Sequence, residues 1–63
     1  MMELPNKPHL LPREVQSFMG ISRGTLYRWL KDGIIPARRL GGSYRIPRQE
    51  LLEWYQAQAV KPR

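Results

Sequence analysis

The sequence predicts a mostly α-helical domain with a small β-hairpin, in the order helix, helix, hairpin, helix. Three features support this fold class: three segments with apolar residues at helical spacing, a serine suited to cap the second segment, and a Gly-Gly pair between two β-like runs. The 63 residues include no cysteine, and a chain this short buries only about 60% of its unfolded surface. We therefore expect one small domain that is stabilised by packing without disulfides.

The two ends of the chain are expected to lie outside this domain. Pro5 and Pro8 stand in a stretch without periodic apolar residues, which predicts a flexible N-terminal lead over residues 1–9. The domain is expected to span residues 10–60, with a tail over residues 61–63. Neither a long apolar run nor a signal sequence is visible, so we expect a soluble, cytoplasmic protein.

The first helix is predicted to begin at Pro12, because proline suits the first position of a helix. Val15, Phe18 and Met19 then recur at the spacing of one buried face. Gly20 is predicted to end the helix.

The second helix is predicted to follow Ser22, whose hydroxyl can cap it, and to end before Gly33. Ile21 and Leu26 occupy the two positions of a hydrophobic staple around this start. Two short helices joined by a tight turn form a helix-turn-helix, in which the second helix is offered to the major groove of DNA.

A hairpin and a third helix complete the prediction. The runs 37–40 and 43–46 flank Gly41 and Gly42, which indicates two strands joined by a tight turn, a wing. Pro47 is predicted to open the third helix, which should fade near Val60 and turn an acidic face outward. Its apolar stripe is predicted to consist of Leu51, Trp54, Tyr55 and Gln58. These elements together form a winged helix-turn-helix.

The charge is concentrated at mid-chain. Lys and Arg number 11 against five acidic residues, a net charge of +6. The whole excess lies between Ser22 and Arg48, where seven cationic side chains, six of them arginines, face Asp32 alone. Guanidinium forks suit phosphates and guanine edges, so a nucleic acid is the expected partner. A basic face kept for solubility is the alternative.

The second helix provides the predicted reading surface. On a helical wheel Leu26, Trp29 and Leu30 share one side, and the opposite arc is polar, basic and aromatic. Base contacts are predicted for Arg23, Thr25 and Arg28, and phosphate contacts for Ser22, Tyr27 and Lys31. Gly24 would allow a close approach of the backbone to DNA. Packing for Tyr27 and simple tolerance of Gly24 are the alternatives.

The wing provides the second predicted surface. Arg38 and Arg45 should share one face of the ribbon, and such crowding is easier to understand if an anion lies between them. Small residues at the tip suit a minor groove or a phosphate track, although the glycines also serve the turn itself. Contacts with DNA are predicted for Arg38, Arg39, Gly42, Ser43, Tyr44 and Arg45.

Over about residues 10–57 the chain resembles the excisionase-like branch of MerR-type winged helix-turn-helix DNA-binding domains. The likeness rests on short segments in a fixed order: Glu14-Val15, Gly20-Ile21-Ser22, residues 25–30, residues 33–37, Gly41-Gly42, residues 44–47, Leu51 and Trp54. The resemblance implies DNA contacts for Arg23, Thr25, Tyr27, Arg28, Arg38, Arg39, Ser43 and Arg45.

The chain also departs from the family pattern. Leu11 precedes Pro12 where the family often has a capping serine or threonine, which leaves the start of the first helix open. The long dimerisation helix and effector domain of MerR-type sensors have no counterpart here, so ligand sensing is not expected.

The leading hypothesis is an architectural DNA-binding factor, such as a recombination directionality factor that bends DNA for a phage-type integrase. Its expected partners are double-stranded DNA, neighbouring copies of itself, and an integrase or the transcription machinery. A small MerR-like transcription regulator is the close alternative, separable by whether an integrase gene lies nearby.

A protein-interaction module for an acidic partner, using Trp54 and Tyr55, is the alternative from another class. An enzyme is not expected, because the sequence has no cysteine and His9 stands alone, without a nucleophile or second metal ligand near it in the sequence. No cofactor, metal site or membrane-binding helix is expected either.

Overall fold

A computed structural model of the protein describes residues 4–58. In chain order the elements are β1 (His9–Leu10), α1 (Pro12–Met19), α2 (Arg23–Lys31), β2 (Arg38–Leu40), β3 (Ser43–Pro47) and α3 (Arg48–Ala57). The three strands form an antiparallel sheet in the order β1-β3-β2. The predicted winged helix-turn-helix is therefore confirmed, with one strand more than the sequence predicts.

Helix α1 obtains its N-terminal cap without a serine. Leu11 has no side-chain acceptor, and its backbone N–H instead donates to Oε1 of Glu14 at 2.8 Å. The other carboxylate oxygen of Glu14 lies 3.0 Å from Nζ of Lys7. At the far end Gly20 adopts a left-handed conformation with φ of 67°, as a glycine that ends a helix often does.

Helix α2 begins as predicted. Oγ of Ser22 accepts a hydrogen bond from the backbone N–H of Thr25 at 3.2 Å. Leu26 and Leu30 are buried, and Ile21 packs against the same core. The start of the second helix was readable from the sequence because cap and staple are both local.

The N-terminal segment differs from its prediction as a lead. Leu4 is only 9% exposed and belongs to the core, and β1 pairs with β3 through His9 opposite Pro47 and Leu10 opposite Ile46. A two-residue strand is too short to show a period, so the sequence carries no signal for it. Met1–Glu3 lie outside the described residues, as do residues 59–63 with the predicted tail.

Five of the six elements, all except β2, contribute to the core, and Leu4 and Ile35 join it from the connecting segments. It consists of Leu4, Leu10, Val15, Leu26, Leu30, Ile35, Ile46 and Leu51.

Helix α3 packs against the core through Leu51, Leu52 and Trp54, a different stripe from the predicted one. It ends at Ala57, and Val60, near which the helix is predicted to fade, lies outside the described residues. Leu51 is buried and Trp54 half-buried, but Gln58 is exposed and Tyr55 is 44% exposed. The Tyr55 ring contacts Phe18 with ring centroids 5.1 Å apart. The predicted stripe is therefore only partly confirmed, and Tyr55 packs at the margin of the core.

The cap of α1 predicts a pH dependence of stability. The Leu11 N–H, and then Lys7, lower the pKa of the Glu14 carboxyl below its usual value. This carboxylate therefore stabilises the fold above its unfolded-state pKa, and the contribution disappears as the pH falls through the folded-state pKa. We expect Glu14→Gln to lower the midpoint of thermal unfolding at neutral pH, and the deficit to shrink in acid. Glu53→Gln, on the exposed face of α3, is the matched control; a deficit that is independent of pH would contradict the assignment.

Candidate nucleic-acid interface

The outward face of α2 is polar and basic, opposite Leu26 and Leu30. The side chains of Arg23, Tyr27, Arg28 and Lys31 are exposed, Gly24 lies among them, and Thr25 is half-buried. This burial pattern agrees with the helical wheel. The predicted DNA contacts of these residues remain predictions, and the structure brings them to one surface of the domain.

Ser22 and Thr25 are joined at the start of α2. The Ser22 hydroxyl donates to Oγ1 of Thr25 at 2.9 Å while accepting the Thr25 N–H. The Ser22 hydroxyl is thereby engaged in the cap and with Thr25. The Thr25 hydroxyl hydrogen and methyl group stay available, and the DNA contacts of both residues stay predictions.

An edge-to-face pair of tyrosines connects α2 to the wing. The rings of Tyr27 and Tyr44 have centroids 6.1 Å apart at an angle of 69°. The guanidinium carbon of Arg23 lies 5.3 Å from the Tyr27 ring centroid, and that of Arg39 lies 5.8 Å from the Tyr44 centroid. We call Tyr27 and Tyr44 the aromatic bridge. Tyr27 thus contacts Tyr44 while 38% of its surface stays exposed, and both its predicted DNA contact and the packing alternative stay predictions.

Two basic clefts flank the aromatic bridge, and Tyr44 lines both of them. The first cleft, at the N-termini of α1 and α2, is lined by Leu11, Pro12, Arg13, Gln16, Arg23, Tyr27, Gly42, Ser43, Tyr44 and Arg45. The second cleft, at the C-terminal end of α2, is lined by Leu30, Lys31, Gly33, Ile35, Pro36, Ala37, Arg38, Arg39 and Tyr44. Tyr44 thus joins the cleft lined by Arg23 and Arg45 to the cleft lined by Lys31, Arg38 and Arg39.

Arg38 has a partner that the sequence analysis did not foresee. Arg38 and Arg45 are directly opposite in the hairpin, as predicted. However, Nη2 of Arg38 lies 3.0 Å and 3.3 Å from the two carboxylate oxygens of Glu50, in the first turn of α3. The anion expected beside Arg38 is therefore supplied by the protein itself, and Arg38 is partly neutralised before any DNA arrives.

Arg48, one of the seven mid-chain cationic side chains, is also engaged within the protein. Its Nε donates to the backbone oxygen of Pro5 at 3.1 Å, which ties α3 to the N-terminal segment. Arg45 stays at the first cleft, where its Nη1 donates to the carbonyl of Tyr44 at 3.1 Å. Within residues 4–58, ion pairs join Lys7 to Glu14 and Arg38 to Glu50, so the remaining arginines of α2 and the wing have no carboxylate partner.

Sequence reasoning missed Arg13 and Gln16, which line the first cleft from α1. Their spacing of three residues places them on one face of α1. That signal was present in the sequence, but only the folded chain brings this face beside the start of α2 and the tip of the wing.

Gly41, Gly24 and Gly42 differ in whether their backbone conformation requires a glycine. Gly41 has φ of 63°, so the turn itself demands glycine there. Gly24 and Gly42 do not have positive φ, and a Cβ built on either would meet no atom within 4 Å. Within residues 4–58 nothing calls for glycine at these two positions, and both are exposed.

Comparison with known families agrees with this geometry. A family model described as a helix-turn-helix domain matches residues 12–59, from the first residue of α1 to just beyond α3. The chain belongs to this helix-turn-helix family. Membership of this family supports DNA binding by the protein. No curated protein and no solved structure shows significant similarity to it. Across residues 4–58, the helices are too short or too polar to span a membrane.

The two unconstrained glycines give a direct test of close backbone approach. We expect Gly24→Ala to fold with unchanged or slightly higher stability, by up to about 1 kcal/mol, because alanine is the better helix residue. The same change should weaken duplex binding by about tenfold, since a methyl group would hold the helix away from DNA. Unfolding curves and binding titrations measure the two effects. Unchanged affinity in both Gly24→Ala and Gly42→Ala would rule out the close approach.

The Glu50 pair predicts unequal roles for neighbouring wing arginines. Arg39→Gln should reduce the slope of log affinity against log salt by about 1, as loss of one phosphate contact does. Arg38→Gln, the matched change one residue earlier, should reduce it by less, because Glu50 already neutralises Arg38. Titrations at four or more salt concentrations measure both slopes, and equal slopes would show that DNA displaces Glu50.

Proposed function

We propose that this helix-turn-helix protein binds double-stranded DNA sequence-specifically, with α2 in the major groove and the wing on the backbone or minor groove. The observation that carries the proposal is the aromatic bridge, which holds the cationic residues of α2 and the wing at adjoining clefts. Phosphate contacts around a groove position a protein, and side chains within it read bases.

The dimensions of α2 support entry into the major groove. Its nine residues make a rod of about 14 Å, with a rise of about 1.5 Å per residue. The major groove is about 12 Å wide and admits a helix, whose diameter with side chains is about 10–12 Å. The exposed Arg28 can match O6 and N7 of guanine with its fork, and Thr25 offers a hydroxyl and a methyl group. Lys31 and Arg39 line the second cleft, where they would hold backbone phosphates.

We propose further that the protein is an architectural factor of the recombination directionality type, which bends DNA beside a recombination site. The support is the resemblance to excisionases over about residues 10–57. A single small module makes few contacts, so its occupancy gains from neighbouring copies or from contact with an integrase. A small MerR-like transcription regulator would use the same surface, and its complex with DNA would contact the transcription machinery instead.

A protein-interaction module for an acidic partner is the alternative from another class. An apolar groove lies outside both basic clefts and favours a role in protein contact. Its lining consists of Met19, Trp29, Ile34, Trp54, Tyr55 and Gln58. Under this alternative the protein would bind one acidic protein and would ignore duplex DNA at moderate salt.

The proposed role is non-enzymatic and cytoplasmic, and it uses no cofactor. His9, the single histidine, is exposed in β1, where it faces Pro47 in the strand pairing. The proposed activity depends on cationic and aromatic side chains, which bind DNA without chemical change.

The proposed function is tested by fluorescence anisotropy on duplexes taken from around its own gene. With about five to seven phosphates contacted, log affinity should fall with log salt at a slope of about −5 to −6. Arg28→Ala should cost about 1–3 kcal/mol on the preferred site and little on random duplex. Circularly permuted probes then report bending, which the directionality role requires and simple repression does not. Salt-independent binding, or equal losses on both duplexes for Arg28→Ala, would contradict specific recognition.

A further inference from the structure

The first cleft contains an arginine that comes from neither the recognition helix nor the wing. Arg13 of α1 lines it together with Arg23 of α2 and Arg45 of the wing, and Gln16 lies one turn further along α1. The cleft encloses about 360 Å³, and no carboxylate is among its lining residues. Arginines from three separate elements therefore line one cleft.

We infer that this cleft binds one backbone phosphate of the duplex, and that Arg13 and Gln16 of α1 complete the site begun by Arg23 and Arg45. The inference rests on the proposed function and adds a third element, α1, to the contact surface. The recognised chemistry is a phosphate oxyanion, held by guanidinium N–H groups and by the Gln16 amide.

Electrostatics favours an anion at this place. Like charges facing one cleft repel one another, and an oxyanion between them turns this repulsion into attraction. Arginine forks are suited to phosphate because they donate parallel N–H bonds in a plane. Two of the three forks are already held by the protein, Arg23 over the Tyr27 ring and Arg45 on the Tyr44 carbonyl. Less side-chain freedom is then lost when the phosphate binds.

The neighbouring carboxylate of Glu14 forms no ion pair with Arg13, although the Arg13 charge adds the last and smallest contribution to the lowering of its pKa. Glu14 would be the nearest acid in sequence, but its oxygens are engaged by the Leu11 N–H at 2.8 Å and by Lys7 at 3.0 Å. The same contacts lower the pKa of Glu14 and keep it ionised on its own partners. Arg13 is exposed, and neither ion pair found within residues 4–58 includes it.

A phosphate in this cleft would fix the angle at which α2 enters the groove. It would contact the start of α1, the start of α2 and the tip of the wing at once. Rotation of the protein relative to the duplex would therefore break at least one of these contacts. Arg13 and Gln16 are therefore positioning residues that act on affinity for every sequence alike. They carry no base preference of their own.

The test compares Arg13→Gln with Arg48→Gln, an equal loss of charge at an arginine that lines neither basic cleft. We expect Arg13→Gln to weaken binding by about tenfold on preferred and random duplexes alike and to reduce the salt slope by about 1. Arg48→Gln should weaken binding less than about twofold, and Gln16→Ala should lie between the two. Unfolding curves confirm that each variant is folded.

A second arm locates the phosphate on DNA that carries one neutral methylphosphonate, moved along the footprinted site. One position should cost the wild type about tenfold and cost Arg13→Gln less than about twofold, because the contact is already absent. Identical profiles for the two proteins would overturn the inference while leaving the proposed function intact. Failure of the wild type to bind duplex DNA would overturn both.

A third arm distinguishes a phosphodiester from free phosphate. Inorganic phosphate, added at constant ionic strength, should compete with DNA no better than chloride does. Competition that is strong in the wild type and lost in Arg13→Gln would assign the cleft to a free phosphate anion and overturn the inference.

Discussion

The edge-to-face contact between Tyr27 and Tyr44 is the constraint on which the binding surface depends. Helix α2 and the wing also meet in the core, through Leu26, Leu30 and Ile46 of β3, but none of the β2 side chains is buried. An aromatic pair of this geometry contributes about 0.5–1.5 kcal/mol beyond the area it buries. That is a sizeable share of the roughly 3–5 kcal/mol that a core of this size supplies. The bridge also carries Arg23 and Arg39 on its outer faces, so one contact sets both the spacing of helix and wing and the placement of two cations.

Carboxylates at helix starts decide which arginines remain for a ligand. Glu14 caps α1 and accepts Lys7, which leaves Arg13 without an acidic partner. Glu50, in the first turn of α3, instead forms an ion pair with Arg38, which lowers the unpaired positive charge of the wing. Both acids gain from the positive end of a helix dipole, and the choice of basic partner follows from the fold. The charge count of the sequence therefore overstates the free charge of the surface.

Local signals made most of this fold predictable. Ser22 with Leu26, Pro12 with Gly20, and the Gly41-Gly42 turn each act within a few residues, so their consequences could be read from the chain. The elements missed are those made by distant segments. Leu4 reaches the core only because β1 pairs with β3, and Glu50 meets Arg38 only because α3 packs beside the wing. Neither contact has a periodic or adjacent signature in the sequence.

The same distinction explains the candidate site. The helical wheel placed Arg28 on the outward face of α2, and the hairpin register placed Arg45 on the same ribbon face as Arg38, because a face is a property of one element. These arguments could not assign Arg13 to the binding surface, since its place there depends on three elements that meet at one cleft. The helix-turn-helix brings two helix N-termini near each other, and the wing closes the third side. A basic residue in the first turn of α1 thus gains a role through topology that its own helix does not reveal.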